Sequence, residues 1–256
     1  MTRVTVSAIV TTRDRPELLA DALRSIERQT DPPIEIRIAD DGAPPLASLP
    51  QMSGLEVTLV HPGAGRAAAA RNEAARGARG EVLAFLDDDD LWEPRHLAGL
   101  SAAFADPAVE FAWRDCAVIR ERVERSGART DLERLELARD WDPPMMRDND
   151  YLPPSGWGVR RALFERLGGF DESFAFSEDW DFALRAAAVT VPHRVAGVTV
   201  EVRMRDAGNA SADFGPERLE CLRRLAERHG LPVLEPRTFW EVAQHVARAA
   251  PGPPAR

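Results

Sequence analysis

The chain has 256 residues, 44% hydrophobic and 29% charged, with a formal net charge of −9 at pH 7, the composition of a globular protein large enough for one sizeable α/β domain. That acidic balance argues against general nucleic-acid binding, which needs a basic face, but not against an anionic small ligand held by a metal ion or a few arginines. All 33 basic residues are arginine, which excludes a lysine Schiff base and a P-loop lysine. The first predicted element is a buried strand, the apolar, β-branched run Thr5 to Thr11. Asp14 is placed as N-cap of a helix with Pro16 in its first turn and Glu17 at the capping-box position. Its apolar stripe runs from Leu18 to about Gln29. Ile34 to Ala39 reads as a second strand ending in Asp40-Asp41-Gly42, and Leu55 to Val60 as a third. Arg66 to Arg76 is an Ala-rich helix stopped by Gly77 and Gly80. Val82 to Leu86 is a fourth strand, ending in Asp87-Asp88-Asp89-Asp90. A helix from Pro94 to Phe104 and a strand from Phe111 to Ile119 follow.

Residues 120–154 change character: charged, with Trp141-Asp142-Pro143-Pro144 and Pro153-Pro154, they read as an excursion over the sheet and a candidate lid. Helices are predicted at Arg160 to Leu167, at Glu178 to Ala188 with Ser177 as cap, at Pro216 to His229, and at Thr238 to Ala250 with a Thr238/Glu241 capping box. A late strand spans Val195 to Val202, and Pro251 to Arg256 is a frayed tail. The order β-α-β-β-α-β-α-β points to a largely parallel sheet covered by helices, with ligands outside the carboxyl ends of the strands. No stretch approaches ~18 uninterrupted apolar residues, the length of a membrane span, and no small-residue cleavage site follows the first strand. Cys116 and Cys221 are far apart and read as reduced structural thiols. A cytoplasmic location is the expectation. The Arg-for-Lys bias, with abundant Ala and Pro, points to high-GC bacterial coding.

Asp87 to Asp90 is the strongest local signal for chemistry. Four adjacent carboxylates repel one another, yet they follow a buried strand and precede Leu91-Trp92. Hard oxygen ligands there suit Mg²⁺ or Mn²⁺, which bridge to substrate phosphates. Asp40-Asp41-Gly42 alone reads as an Asp-Gly turn, but two acidic strand ends in one sheet suggest a shared cleft. Gly63, Gly65 and Ala68 fit G-x-G-x-x-A. The turn follows the third strand rather than opening a first βαβ unit, so a helix N-terminus and Arg66 facing a diphosphate is preferred to a dinucleotide site. Arg71 is placed on a solvated helix face. Glu178 and Asp181 suit a helix N-terminus through the dipole alone. Trp141, Trp157 and Trp180 either stack on a sugar face or fill the core. The five histidines show no metal spacing.

Together these motifs resemble glycosyltransferase family 2. Val6-Ser7-Ala8-Ile9-Val10-Thr11-Thr12-Arg13-Asp14-Arg15-Pro16 resembles the family's first strand and turn, and Asp40-Asp41-Gly42 its acidic pair after the second strand. Arg66 through Asn72-Glu73-Ala74, then Gly80-Glu81, lead into Phe85-Leu86-Asp87-Asp88-Asp89-Asp90, which resembles the region of the DxD motif. Leu163 through Gly168-Gly169-Phe170-Asp171-Glu172, then Glu178-Asp179-Trp180-Asp181, resemble the acceptor-side motif. The ordered match spans roughly residues 4–210.

The resemblance implies a GT-A fold: α/β, with a Rossmann-like, mostly parallel sheet flanked by helices and a C-terminal helical extension. It implies a nucleotide-sugar-binding half over residues 1–118, an acceptor-binding half of the same domain over 119–214, and C-terminal helices and tail over 215–256. The implied activity is transfer of a sugar from a nucleoside-diphosphate sugar, by family habit a UDP-sugar, to an acceptor hydroxyl with inversion. By resemblance Asp41 contacts the base, Asp88 lies near the ribose, Asp87 is near the donor or metal, Asp89 holds the divalent cation, Mn²⁺ or Mg²⁺, and Asp179 is the general base. Thr11, Arg13 and Arg66 join the donor site, and Trp157, Glu178 and Trp180 the acceptor site. The acceptor is expected to be a small molecule, such as a natural product, or a cell-surface glycan. One departure stands out. Many members carry a metal-proximal His after the late strand, whereas this chain reads Arg203-Met204-Arg205-Asp206-Ala207-Gly208-Asn209, so Arg205 is a candidate to hold the diphosphate. The rival readings are a non-catalytic nucleotide-sugar-binding protein on the same fold, and a dehydrogenase using the Gly63–Ala68 turn.

Overall fold

In a computed structural model of the chain, β1 (Val6–Thr12), β2 (Glu35–Asp40), β3 (Val57–Val60) and β4 (Val82–Asp87) form a parallel half-sheet ordered β3-β2-β1-β4. The described residues are 3–249 without 47, 50, 51, 53, 64, 125–128 and 206–211. Ala64 of the glycine turn, Asp206 to Asn209 and the tail Pro251 to Arg256 therefore lie outside them. α1 (Pro16–Glu27) and α2 (Ala67–Arg76) pack on the sheet. Ala8, Ile9 and Val10 of β1 and Leu83 to Leu86 of β4 are buried regardless of which face they point to, as expected for strands covered on both sides. Register decides where the site falls. Thr12 lies opposite Asp40, and Thr11 opposite Asp87. The carboxyl ends of β1, β2 and β4 therefore come out on one rim, carrying both acidic turns.

The second half adds β5 (Leu91–Trp92), α3 (His96–Ala103), β6 (Phe111–Val123), β7 (Arg129–Leu137), α4 (Pro143–Met146), β8 (Trp157–Arg160), α5 (Arg161–Arg166), α6 (Glu178–Ala187) and β9 (His193–Met204). β8 enters antiparallel between β4 and β6, β6 runs parallel to β9, and β5 and β7 pair antiparallel with β9 and β6. The result is a mixed α/β fold, a mostly parallel sheet flanked by helices. β6 passes through residue 118 without a break, so both halves share one sheet. α7 (Pro216–His229) and α8 (Phe239–Arg248) follow, and α8 carries the expected capping box, with Thr238 N–H donating to Glu241 at 2.8 Å.

Several local expectations are corrected. Residues 129–137, read as part of an excursion, form the edge strand β7. Its sequence is so charged that no apolar alternation is visible, and such charges blunt an open sheet edge. β8 was hidden by its glycine. A Cβ at Gly158 would lie 2.6 Å from the Phe104 ring, so only glycine lets the strand pass α3. Asp14 does not cap α1. It sits at φ 55°, a left-handed conformation that aspartate tolerates, and accepts a hydrogen bond from Ala43 N–H at 2.9 Å, tying the β1 and β2 turns together. Ser177 also has positive φ, at 63°, and makes no side-chain cap to α6.

Candidate active site

Along the rim of the sheet runs a cleft of about 570 Å³, bounded by the β1, β2 and β4 turns on one side and by the start of α6, α7 and α8 on the other. Asp40 is buried and structural: it accepts from Gly42 N–H at 2.9 Å and Leu46 N–H at 2.7 Å, folding the loop after β2. Its neighbour Asp41 lines the cleft, and its Oδ1 is buried without a hydrogen-bond partner among the described residues. A buried acceptor atom in that condition is costly unless a ligand satisfies it.

The acidic run divides its work. Asp87 accepts from the Thr11 hydroxyl at 3.1 Å and, through its two oxygens, from a single Arg71 guanidinium nitrogen at 2.7 and 2.9 Å. Asp88 is buried, accepting from the Thr12 hydroxyl at 2.7 Å and Arg15 at 3.3 Å. Burial and the Asp89 charge push its carboxyl up to about 7. Asp89 is gripped by Arg15 at 2.9 Å and by Arg205. Asp90 is fully structural: it accepts from Ser155 and from Arg203 N–H, fastening the turn to β9. Among the described residues no three carboxylate, His or Cys side chains form a closed metal cage. The donor set still fits Mg²⁺ or Mn²⁺ in the manner of ions held by one or two carboxylates plus substrate phosphates. Asp87 and Asp89 would supply the hard oxygens, alongside the arginines that pair with them in this structure.

Arg71 is not on a solvated face. Its side chain is 6% exposed and bridges Asp87 to Glu178 of α6, with 2.6 Å to Glu178. It shares a stripe with buried Ala68 and Ala75 at i−3 and i+4, so helical periodicity alone could have located it. The facing wall of the cleft is built on α6. Glu178 is consumed by Arg71. Asp179 faces the cleft and accepts from Trp180 N–H at 2.8 Å, and burial raises its pKa against the opposing pull of Arg71. Trp180 lines the cleft while its indole N–H is held by the Met146 carbonyl at 2.8 Å.

Trp157 does not reach the cleft. It is fully buried, its indole N–H donating to the Leu152 carbonyl at 3.0 Å and its ring stacked near Phe170 and Phe182. The bulk of the aromatic ring system outweighs any exposure it would need to meet a sugar. Asp181 faces away, buried among Arg185, Arg228 and His229, and locks α6 to α7. Thr11, Arg13 and Arg66 all line the cleft. Arg13 reaches the Gly65 carbonyl at 3.5 Å, and Arg66 is 3.4 Å from Glu217. Asp150, Arg218, Arg237 and Phe239, none singled out in the sequence, also face it.

The charge balance makes stability depend on pH. Burial and Asp179 push Glu178 from about 4.5 to about 7, and Asp88 moves the same way. Such acids bind their proton more tightly in the folded chain, so stability falls as pH rises through this window. Asp171, held down at about 2 chiefly by Ser173 and Arg228 against burial, acts oppositely, its contribution being lost only in strong acid. The melting temperature of the ligand-free protein is therefore expected to decline from pH 5 to pH 8. A scanning-calorimetry series in which it rises over that range contradicts this balance.

A model of Glycosyl transferase family 2 matches residues 7–168, which spans β1 through α5 and includes the whole acidic rim. The chain belongs to that family. A glycosyltransferase of Bacillus subtilis, YwdF, is 34% identical over 91% of this chain and 87% of its own length. The validoxylamine A glucosyltransferase of Streptomyces hygroscopicus is 27% identical over 93% of this chain but only 59% of its own. S. aureus TarS 1–349, solved with UDP-GlcNAc, superposes with a TM-score of 0.60 at 19% identity, covering 87% of this chain and 66% of that one. This family 2 glycosyltransferase thus has the GT-A fold, and it spans about 60% of several longer relatives. None of its described helices is long and apolar enough to cross a membrane.

Proposed function

We propose that this glycosyltransferase moves a sugar from a nucleoside-diphosphate sugar, UDP preferred, to an acceptor hydroxyl with inversion at the sugar carbon. The observation carrying this reading is that one cleft is lined by Asp41, the Asp87–Asp89 rim and Asp179 together. Asp41 Oδ1 accepts the uracil N3–H. Thr11 and Asp88 flank the ribose, and Arg13, Arg66, Arg15 and Arg205 supply positive charge for the diphosphate. Asp87 and Asp89 would hold a Mn²⁺ or Mg²⁺ ion, which when bound stabilises charge on the departing nucleoside diphosphate as a Lewis acid. Asp179 takes the acceptor proton as its oxygen attacks C1. Glu178, fixed by Arg71, orients the start of α6, and Trp180 forms part of the acceptor floor. The acceptor is a small natural product or a cell-surface glycan, and the site of action is the cytoplasm.

Titration calorimetry with UDP, dTDP and GDP, with and without Mn²⁺, tests the donor end, and release of UDP from UDP-sugars tests transfer. UDP is expected to bind in a Mn²⁺-dependent way, and Asp89→Ala to abolish that dependence while the fold survives. Tighter binding of GDP than of both UDP and dTDP rejects the nucleotide assignment. Wild-type-like metal dependence in Asp89→Ala rejects the metal ligand. Binding without any turnover returns the chain to a nucleotide-sugar-binding role.

A further inference from the structure

Asp150 is a carboxylate at the acceptor end that none of these roles uses. It stands between α4 and β8 on a segment fixed at nearly every residue. Asn149 N–H donates to the Met145 carbonyl at 2.9 Å and Arg237 donates to Asn149 Oδ1. The Tyr151 hydroxyl accepts from Asp142 N–H at 2.9 Å, and Trp157 holds the Leu152 carbonyl. The same frame carries the candidate base, because Trp180, next to Asp179, is tied to Met146 at 2.8 Å. A group presented this rigidly loses little entropy when a ligand arrives.

Asp150 itself is barely satisfied. Its one hydrogen bond among the described residues is from Leu152 N–H at 3.3 Å, to a single oxygen. Within the described residues neither Asp150 nor Asp179 has an ion-pair partner at 4.0 Å or less, although arginines neutralise Asp87, Asp89, Glu178 and Asp181. Asp150 and Asp179 line the same cleft, and burial and then the Asp179 charge push Asp150 well above the usual carboxylate range. Phe176, Leu222, Phe239 and Val242 close this end with apolar surface. Two neighbouring carboxyls in such surroundings favour a ligand that offers each its own hydrogen-bonding group.

We propose that Asp150 is an acceptor-positioning residue: it hydrogen-bonds the hydroxyl adjacent to the attacking one, so the acceptor is a vicinal diol of a sugar or cyclitol ring. The inference rests on Asp179 being the base. The test uses the full chain with whichever of UDP-glucose or UDP-GlcNAc it turns over, and glycerol or 1-propanol as surrogate acceptor. Wild type is expected to glycosylate glycerol at least about tenfold faster than 1-propanol, one hydrogen bond to a buried polar group being worth roughly that much. Asp150→Ala should erase the preference with UDP affinity intact, and Asp150→Asn, which keeps a hydrogen-bonding head, should restore most of it. Asp150→Asn should also melt no lower than wild type, since it relieves repulsion and keeps the Leu152 contact. An unchanged preference in Asp150→Ala, or a lowered melting temperature in Asp150→Asn, overturns the proposal. Retention of transfer by Asp179→Asn instead overturns the base assignment beneath it.

Discussion

Asp179→Asn is expected to lose about 10²–10⁴-fold in turnover, the usual worth of a general base, with UDP affinity unchanged. The substitution is isosteric and isolates the charge. Asp179 opens α6, so a merely structural role would be helix capping or dipole stabilisation. Asparagine caps almost as well as aspartate, and Ser177, not Asp179, occupies the cap position. A structural role therefore predicts little change. The chemical role is favoured by the raised proton affinity of Asp179, set by burial and moderated by Arg71. A carboxylate that holds a proton more firmly is a better base, and the acceptor hydroxyl becomes acidic only as its bond to C1 forms. One oxygen accepts from Trp180 N–H, which fixes the group's orientation toward the cleft. Steady-state UDP release, read beside calorimetric UDP binding, checks the prediction. Near-normal turnover would move the base assignment to Glu178 or Asp150, which also line the cleft, because Asp181 is buried against α7 and does not.

The acidic rim proposed for the donor was legible because its residues are written in contiguous sequence. Apolar β-branched runs predict β1, β2 and β4, and the acids that terminate them must lie on one rim once the strands are parallel. The α6 side proposed for the acceptor depends on distant pairings. Trp157 offered the same residue type as Trp180, but only tertiary packing separates the one in the aromatic core from the one at the cleft. Asp150 sat in a stretch with no periodicity at all. Its place is fixed by hydrogen bonds from β8, α6 and the segment before α8. The strands β7 and β8 escaped for opposite reasons, one too charged to look buried and one too short and glycine-bearing to look like a strand. Arg71 was legible in principle, since Ala68 and Ala75 mark its face as inward, yet an arginine on an Ala-rich helix invites the solvated reading.

Arg71→Met is expected to destabilise the fold by about 3–5 kcal/mol, the cost of removing one partner from a buried ion pair. The side chain joins two distant parts of the chain. From α2 it sends one nitrogen to both Asp87 oxygens at the end of β4 and another to Glu178 at the start of α6. Its guanidinium also lies 5.6 Å from the Phe170 ring centre. Both carboxylates hold its proton in place, so it stays charged at any pH the protein survives. Methionine replaces the stem and keeps much of the packing, which leaves the two carboxylates as the main source of the loss. Glu178, already pushed up to about 7 with Arg71 present, has no other ion-pair partner among the described residues once Arg71 is gone. The loss should therefore grow between pH 6 and pH 8. Arg71→Lys should recover only part, because a single ammonium cannot place separate nitrogens on Asp87 and on Glu178 as the guanidinium does. Arg71→Met combined with Glu178→Gln should be more stable than Arg71→Met alone, since the second change removes the stranded charge. Urea unfolding at pH 6 and pH 8 measures all three. A loss under about 1 kcal/mol, the level of an exposed pair, would mean that Arg71 is not the bolt between the donor rim and α6.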